Sequence, residues 1–229
     1  MTAPLILHYA PDNASLPVRL VLEELQLPFE TRLVDRATGA QRAPAYLALN
    51  PAGLIPALET PDGVIFETAA ILLWLADRSG RFAPAPAGQA RGTFLKWLFF
   101  ASNTLHAELR RLFYAGKYIG DDPGDQELLR YHARRAVLAH LRLLNDARGP
   151  DTPLSVLDFY LAAMVRWCAL YPRGTAHSWF DLNSFPQLHS MAAALEMRDS
   201  AKAAQQAEGL GPTPFTAPHL PQPPEGTAI

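Results

Sequence analysis

The chain has 229 residues, 49% hydrophobic and 18% charged, with a formal net charge of -2. One cysteine excludes an internal disulfide and a thiol-only metal site, and the near-neutral balance leaves no broad field to attract nucleic acid or acidic membranes. The apolar fraction is too high for a disordered chain. No apolar run approaches the roughly 20 residues of a membrane span, and the N-terminal stretch lacks a basic region before its short apolar run. The expectation is a soluble, cytoplasmic protein without a metal.

The chain opens with a short apolar run, Leu5-Ile6-Leu7-His8-Tyr9, stopped by Pro11-Asp12-Asn13; this reads as a buried strand and a turn. From Ser15 to Leu27 the apolar residues recur at helical spacing, with Ser15 as a natural N-cap and Pro17 in the first turn. Phe29 to Val34 reads as a half-buried strand, completing a parallel βαβ unit. Ala43 to Leu49 suggests a short helix. Two short strands follow, joined at the hairpin signal Pro61-Asp62-Gly63, and Thr68 to Asp77 is amphipathic.

Ser79 to Gly88 has linker composition, and beyond it strand signals vanish. Helices are expected over Thr93–Tyr118, Asp125–Ala147, Leu154–Leu170 and Gln187–Met197, with a further turn or two within Ala201–Glu208. Six prolines after Gly211 argue for an extended or disordered tail. The division is an α/β domain over 1–79, a linker over 80–88, an all-helical domain over 89–210 and a tail over 211–229.

Two features of the first domain carry chemistry. Pro56 stands at the mouth of the third strand; either an ordinary trans proline starts the strand, or a cis Ile55–Pro56 bond turns the Ile55 peptide groups outward. Glu67-Thr68 opens the third helix, where orphan N–H groups and the dipole favour a carboxylate while Glu67 can receive an ammonium group. Plain capping explains the same pair.

The order βαβαββα resembles the thioredoxin fold. Asn50-Pro51-Ala52-Gly53-Leu54-Ile55-Pro56-Ala57-Leu58 and Phe66-Glu67-Thr68-Ala69-Ala70-Ile71 resemble the glutathione transferase family pattern N-P-x-G-x-V-P-x-L followed by E-S-x-A-I. The resemblance runs from residue 4 to about 208 and implies a thioredoxin-like domain followed by an all-α domain. It also implies glutathione as co-substrate, a two-fold homodimer, and transfer of an alkyl or aryl group to the glutathione thiol. By the same resemblance Ile55 pairs with the cysteinyl main chain of glutathione beside a cis Pro56. Glu67 and Thr68 hold the γ-glutamyl end. Leu54 stands where relatives often carry a basic residue, and Arg42 is the substitute for the glycine carboxylate. Two alternatives stay open: glutathione-dependent peroxide or disulfide reduction in the same pocket, and a non-catalytic binding protein.

An ordinary cysteine thiol has a pKa near 8.5, so a nearby donor must favour the thiolate. Ser15 is the leading candidate, because Ser15-Leu16-Pro17-Val18-Arg19 resembles the stretch of serine-type members. Asn13 is the second and Tyr9 the third. Ala14 replaces the cysteine of cysteine-type members. In the helical domain Phe99, Asn103, His106, Arg110 and Tyr114 fall along one side of a long helix and are the candidate wall for a hydrophobic electrophile. Ser155 and Asp158 form a capping box, a folding role. Cys168 reads as a small buried hydrophobe.

Overall fold

The computed structural model describes residues 4–228; residues 1–3 and 229, the outer ends of the division above, lie outside the described residues. Strand β1 (Leu5–Tyr9) is followed by α1 (Leu16–Glu24), β2 (Phe29–Leu33), α2 (Pro44–Leu47), β3 (Ala57–Thr60), β4 (Gly63–Phe66) and α3 (Thr68–Ser79). The sheet order is β2-β1-β3-β4. β1 runs parallel to β2, and antiparallel pairing joins β1 to β3 and β3 to β4. This is the expected thioredoxin-like order, and the hairpin lies at Pro61-Asp62-Gly63. Apolar residues of β1 and β3 meet across the ladder: Leu7 pairs with Leu58, and both are fully buried.

The second half is helical: α4 (Arg91–Phe100), α5 (Ala107–Phe113), α6 (Gly116–Ile119), α7 (Pro123–Ala147), α8 (Val156–Leu170), α9 (Pro186–Glu196) and α10 (Asp199–Glu208). The long helix expected from Thr93 is interrupted. Between α4 and α5, residues Ala101–His106 form a π-helix, a wider turn common at functional sites. α7 begins two residues earlier than expected, because Pro123 sits in its first turn, where no N–H is needed, and Asp122 accepts from the Asp125 N–H at 2.9 Å. α8 is buried on nearly every face. Its start is fixed by Asp158, whose Oδ2 accepts from the Ser155 N–H at 2.7 Å and from the Ser155 hydroxyl at 3.2 Å, while Oδ1 meets Arg148. One continuous apolar cluster spans both halves, running from Leu7 and Leu20 through Ile71 to Leu161 and Leu188.

Among the described residues the tail contains no helix or strand, as its prolines dictate, but it is not loose. Leu210 and Phe215 are 1% exposed, Glu196 accepts from the N–H groups of Phe215 and Thr216 at 2.7 Å, and Tyr9 donates to Glu225. The tail doubles back over the end of α10, where the Gln222 N–H donates to the Gly209 carbonyl at 2.8 Å. Gly209 has φ +63, and a Cβ there would lie 2.0 Å from the Gln222 oxygen. Gly209→Ala is therefore expected to unseat residues 210–228 and cost about 1–3 kcal/mol. Limited proteolysis should then cut the tail faster than in the parent protein; equal rates would contradict the docking.

Candidate functional site

A cavity of about 1010 Å³ opens between the two halves. On one side it is walled by the turn after β1, the loop before β3 and the start of α3. On the other it is walled by the π-helix, α5 and the C-terminal end of α8.

The turn after β1 is held from inside the protein. Asp12 adopts φ 50, a left-handed conformation that Asp tolerates better than most residues. Its carboxylate is buried and accepts from Arg166 Nε at 2.8 Å, Arg166 Nη2 at 3.0 Å, Trp167 Nε1 at 3.1 Å and the Tyr171 hydroxyl at 2.8 Å. Its N–H donates to Glu208 at 2.8 Å, and the same carboxylate receives Arg19 Nε at 2.7 Å. Burial pushes the Glu208 carboxyl above its ordinary range, with Arg19 opposing. Arg166 also donates to the carbonyls of Pro214 and His219 at 3.0 Å, so one guanidinium ties the turn, α8 and the tail together. None of this cluster was singled out from sequence.

The three candidates for thiol activation separate cleanly. Ser15 is fully buried and does not line the cavity. Its hydroxyl donates to the Ala10 carbonyl at 3.0 Å and accepts from the Ala10 N–H at 3.3 Å. It does not act as the expected N-cap either, because its backbone is already helical, with φ -77 and ψ -22, and the side chain folds back on Ala10. Tyr9 is 2% exposed, engaged by Glu225, and absent from the cavity wall; burial raises its pKa, reinforced by Glu225. Asn13 does line the cavity. Its Oδ1 accepts from the Ala14 N–H at 2.8 Å, leaving its Nδ2 uncommitted among the described residues. Cys168 is fully buried, and burial raises its thiol pKa, so the protein offers no reactive thiolate of its own.

Leu54, Ile55, Pro56, Glu67, Thr68 and Arg42 all line the cavity. The Ile55–Pro56 bond is cis. The loop is braced by Tyr46, whose hydroxyl donates to the Leu54 carbonyl at 2.6 Å, and by buried Asn50, whose Nδ2 donates to it at 2.7 Å. Pairing of β3 with β1 begins at Ala57, so the Ile55 peptide groups stand outside the ladder. Glu67 is exposed at φ 71, ψ 113, a conformation costing about 1–3 kcal/mol that concentrates at ligand sites. The Thr68 hydroxyl is already committed, donating to the Ala14 carbonyl at 3.1 Å, so what Thr68 offers a ligand is the N–H at the head of α3. Gln41 adds a buried Oε1 with no donor among the described residues.

Of the helical-domain candidates, Asn103, His106, Arg110 and Tyr114 line the cavity and Phe99 does not. Phe99 is 48% exposed on the outer side of the helix. Tyr160, Trp167, Arg36, Lys117 and Arg173 join the wall without having been expected there. His106 Nδ1 lies 2.6 Å from the Tyr160 hydroxyl, and its ring is 5.4 Å from that of Trp167. Burial first, and Arg110 second, push its pKa down to about 4. An unfolded His titrates near 6.5, so between about pH 6.5 and 4 the unfolded chain takes up a proton that the fold refuses. Stability conferred by neutral His106 is complete above that window and is lost as pH falls through it, by about 1–3 kcal/mol after allowance for partial exposure. Urea midpoints should fall across this range, and His106→Gln should flatten the fall; an unchanged slope would contradict it.

Residues 14–78 match the family model described as glutathione S-transferase, N-terminal domain. The chain is 32% identical over 215 residues to glutathione S-transferase GST-4.5 of Xanthomonas campestris, covering 89% of this chain and 98% of that protein. Among solved structures, the fold matches a sphingomonad glutathione S-transferase complexed with glutathione, with a TM-score of 0.73 and 30% identity over 90% of this chain and all of the other. It also matches a Burkholderia graminis glutathione transferase with two glutathione molecules bound per subunit, with a TM-score of 0.77 and 26% identity over 91% and 90% of the two chains. The chain belongs to the glutathione S-transferase family.

Proposed function

We propose that this protein is a glutathione transferase that binds glutathione against the thioredoxin-like half of the cavity and promotes attack of its thiolate on an electrophile held by the helical half. The observation that carries this reading is that Asn13, Arg42, Ile55, Glu67 and Thr68 border one cavity. Each then meets one part of the tripeptide. The Ile55 peptide edge takes the cysteinyl main chain as a short strand takes its neighbour. The N–H groups at the head of α3 take the γ-glutamyl carboxylate, and Glu67 takes the ammonium group. Arg42 takes the glycine carboxylate, the role for which Leu54 has no charge. Asn13 replaces Ser15 as the donor to sulfur.

Stabilising the thiolate lowers the thiol pKa and raises the reactive fraction near pH 7. With an aryl or alkyl halide, sulfur forms a bond to carbon, the halide leaves with the bonding pair, and the thiol proton passes to solvent. Among the described residues no helix is long and apolar enough to cross a membrane. A cytoplasmic two-fold homodimer accords with the family, and light scattering at twice the chain mass would bear out the dimer.

Calorimetric titration with glutathione tests the reading: heat and a thermal shift at millimolar concentration or below are expected, and neither at millimolar levels would overturn it. Reduction of a disulfide or peroxide by the same bound thiolate is a second reading. It is favoured by the cavity volume, which reaches the top of the usual range for small ligands. Turnover of a glutathionyl disulfide without conjugation of an aryl halide would select it.

A further inference from the structure

The helical side of the cavity was expected to be an apolar wall, and Phe113, Tyr160 and Trp167 do contribute one. Interleaved with them are Arg110, Lys117 and Arg173, and Arg36 joins them from the loop after β2, bonded to Tyr114. None of these four is ion-paired with a carboxylate among the described residues. The cavity's two acidic residues do not balance them: Asp12 is occupied by Arg166, and Glu67 is the ammonium acceptor in the reading above. The concentration is local, because the whole chain carries a net charge of -2.

Two of these cations are held by one side chain. Arg36 Nη2 donates to the Tyr114 hydroxyl at 3.1 Å, and Lys117 Nζ sits 4.6 Å from the centre of the Tyr114 ring. Arg36 is kept in place by donating to the Ala228 carbonyl at 2.7 Å. Like charges gathered in a concave, partly dry site repel one another until an anion enters. The positive field also reaches the ring beside the π-helix, where Arg110 helps keep His106 neutral. On the far rim Arg173 follows Tyr171 and opposes the burial-driven rise of its phenol pKa. These cations line the same cavity as Arg42 and the head of α3, which in the reading above take glutathione's own two carboxylates.

We infer that the second substrate of this enzyme is an anion, carrying at least one carboxylate that docks on Arg110, Lys117 and Arg173 while its electrophilic centre faces Asn13. The inference rests on the glutathione reading of the other half of the cavity. Planar guanidinium groups suit carboxylates. Two sources share that chemistry: a small carboxylated electrophile, and the carboxylates of a second glutathionyl group joined through a disulfide.

The test is calorimetric binding of two matched conjugates, the S-(carboxynitrophenyl) derivative of glutathione and its methyl ester. Roughly tenfold or tighter binding of the acid is expected, the size of one charge-assisted hydrogen bond. The acid-to-ester ratio should shrink with added salt, and it should fall toward one in Arg110→Gln, Lys117→Gln and Arg173→Gln. Glutathione disulfide is the third ligand: binding tighter than the acid assigns the subsite to a second glutathionyl group, and weaker binding assigns it to a small carboxylated electrophile. A ratio near one in the parent protein, or a ratio untouched by all three substitutions, overturns the inference while leaving glutathione binding intact. Failure of glutathione itself to bind overturns both readings together.

Discussion

Asp12→Ala is expected to lower the unfolding midpoint by roughly 6–20 °C. The carboxylate accepts four hydrogen bonds from Arg166, Trp167 and Tyr171, all of them buried. Removing it leaves the Arg166 guanidinium, itself fully buried, without its counter-charge, and the Trp167 indole N–H and the Tyr171 hydroxyl without their acceptor. Breaking one partner of a buried ion pair costs about 3–5 kcal/mol, and in a chain of this size each kcal/mol moves the midpoint by about 2–4 °C. Scanning calorimetry checks the figure, and a shift below about 2 °C would show that the cluster is dispensable. Asp12→Asn should be milder, since it keeps the shape and one acceptor oxygen, yet it turns an amide N–H₂ toward groups that themselves donate. Combining it with Arg166→Met should recover part of the loss, because the double variant leaves no unpaired buried charge. The variant also has a functional reading. Asp12 holds its turn at φ 50 with Asn13 next in sequence, so loosening the clamp should raise KM for glutathione and lower kcat together.

That cluster also marks the limit of what the sequence tells. The thioredoxin-like wall of the cavity was legible because its signals are contiguous. Asn50 to Leu58 carries a turn, a glycine and a proline in fixed order, and Glu67-Thr68 opens a helix directly after a strand. Short-range punctuation of this kind marked the order of elements as well, through Pro11, Pro28 and the Pro61-Asp62-Gly63 hairpin. The clamp joins residues 154 to 196 positions apart, and nothing local to Asp12, Arg166 or Glu208 distinguishes them from surface charges. Phe99 was misplaced for a related reason. Positions 99, 103, 106 and 110 share a face only if the helix keeps its regular pitch. The π-helix over Ala101–His106 widens the turn and rotates Phe99 away from the residues after it. The tail composition correctly excluded helix, but composition does not reveal docking, which here depends on Gly209 and Gly226 letting the chain pass close to Gln222 and Leu33.

Ser15 and Asn13 could not be separated from sequence, since either fits a turn leading into a helix, and their substitution should now separate them sharply. Asn13→Ala is expected to cut kcat/KM near neutral pH by about 10–150-fold, the loss of one hydrogen bond to a charged group worth about 1.5–3 kcal/mol. The pKa of bound glutathione should rise by about 1–2 units. A raised thiol pKa means less thiolate at a given pH, so activity should recover as pH increases, and KM for glutathione should move little because the main-chain and terminal contacts remain. Ultraviolet titration of the thiolate in the complex, with the pH profile of kcat/KM, reads both effects. Ser15→Ala should behave differently. It removes a hydroxyl bonded to Ala10 at 3.0 Å in a fully buried position, costing about 0.5–1.5 kcal/mol of stability without displacing the thiol pKa. Because the Ala10 N–H also loses its acceptor at 3.3 Å, the upper end of that range is expected. If instead Ser15→Ala shifts the pH profile and Asn13→Ala leaves it in place, the serine hydroxyl must turn from Ala10 toward the sulfur when glutathione binds, and the assignment of the donor reverses.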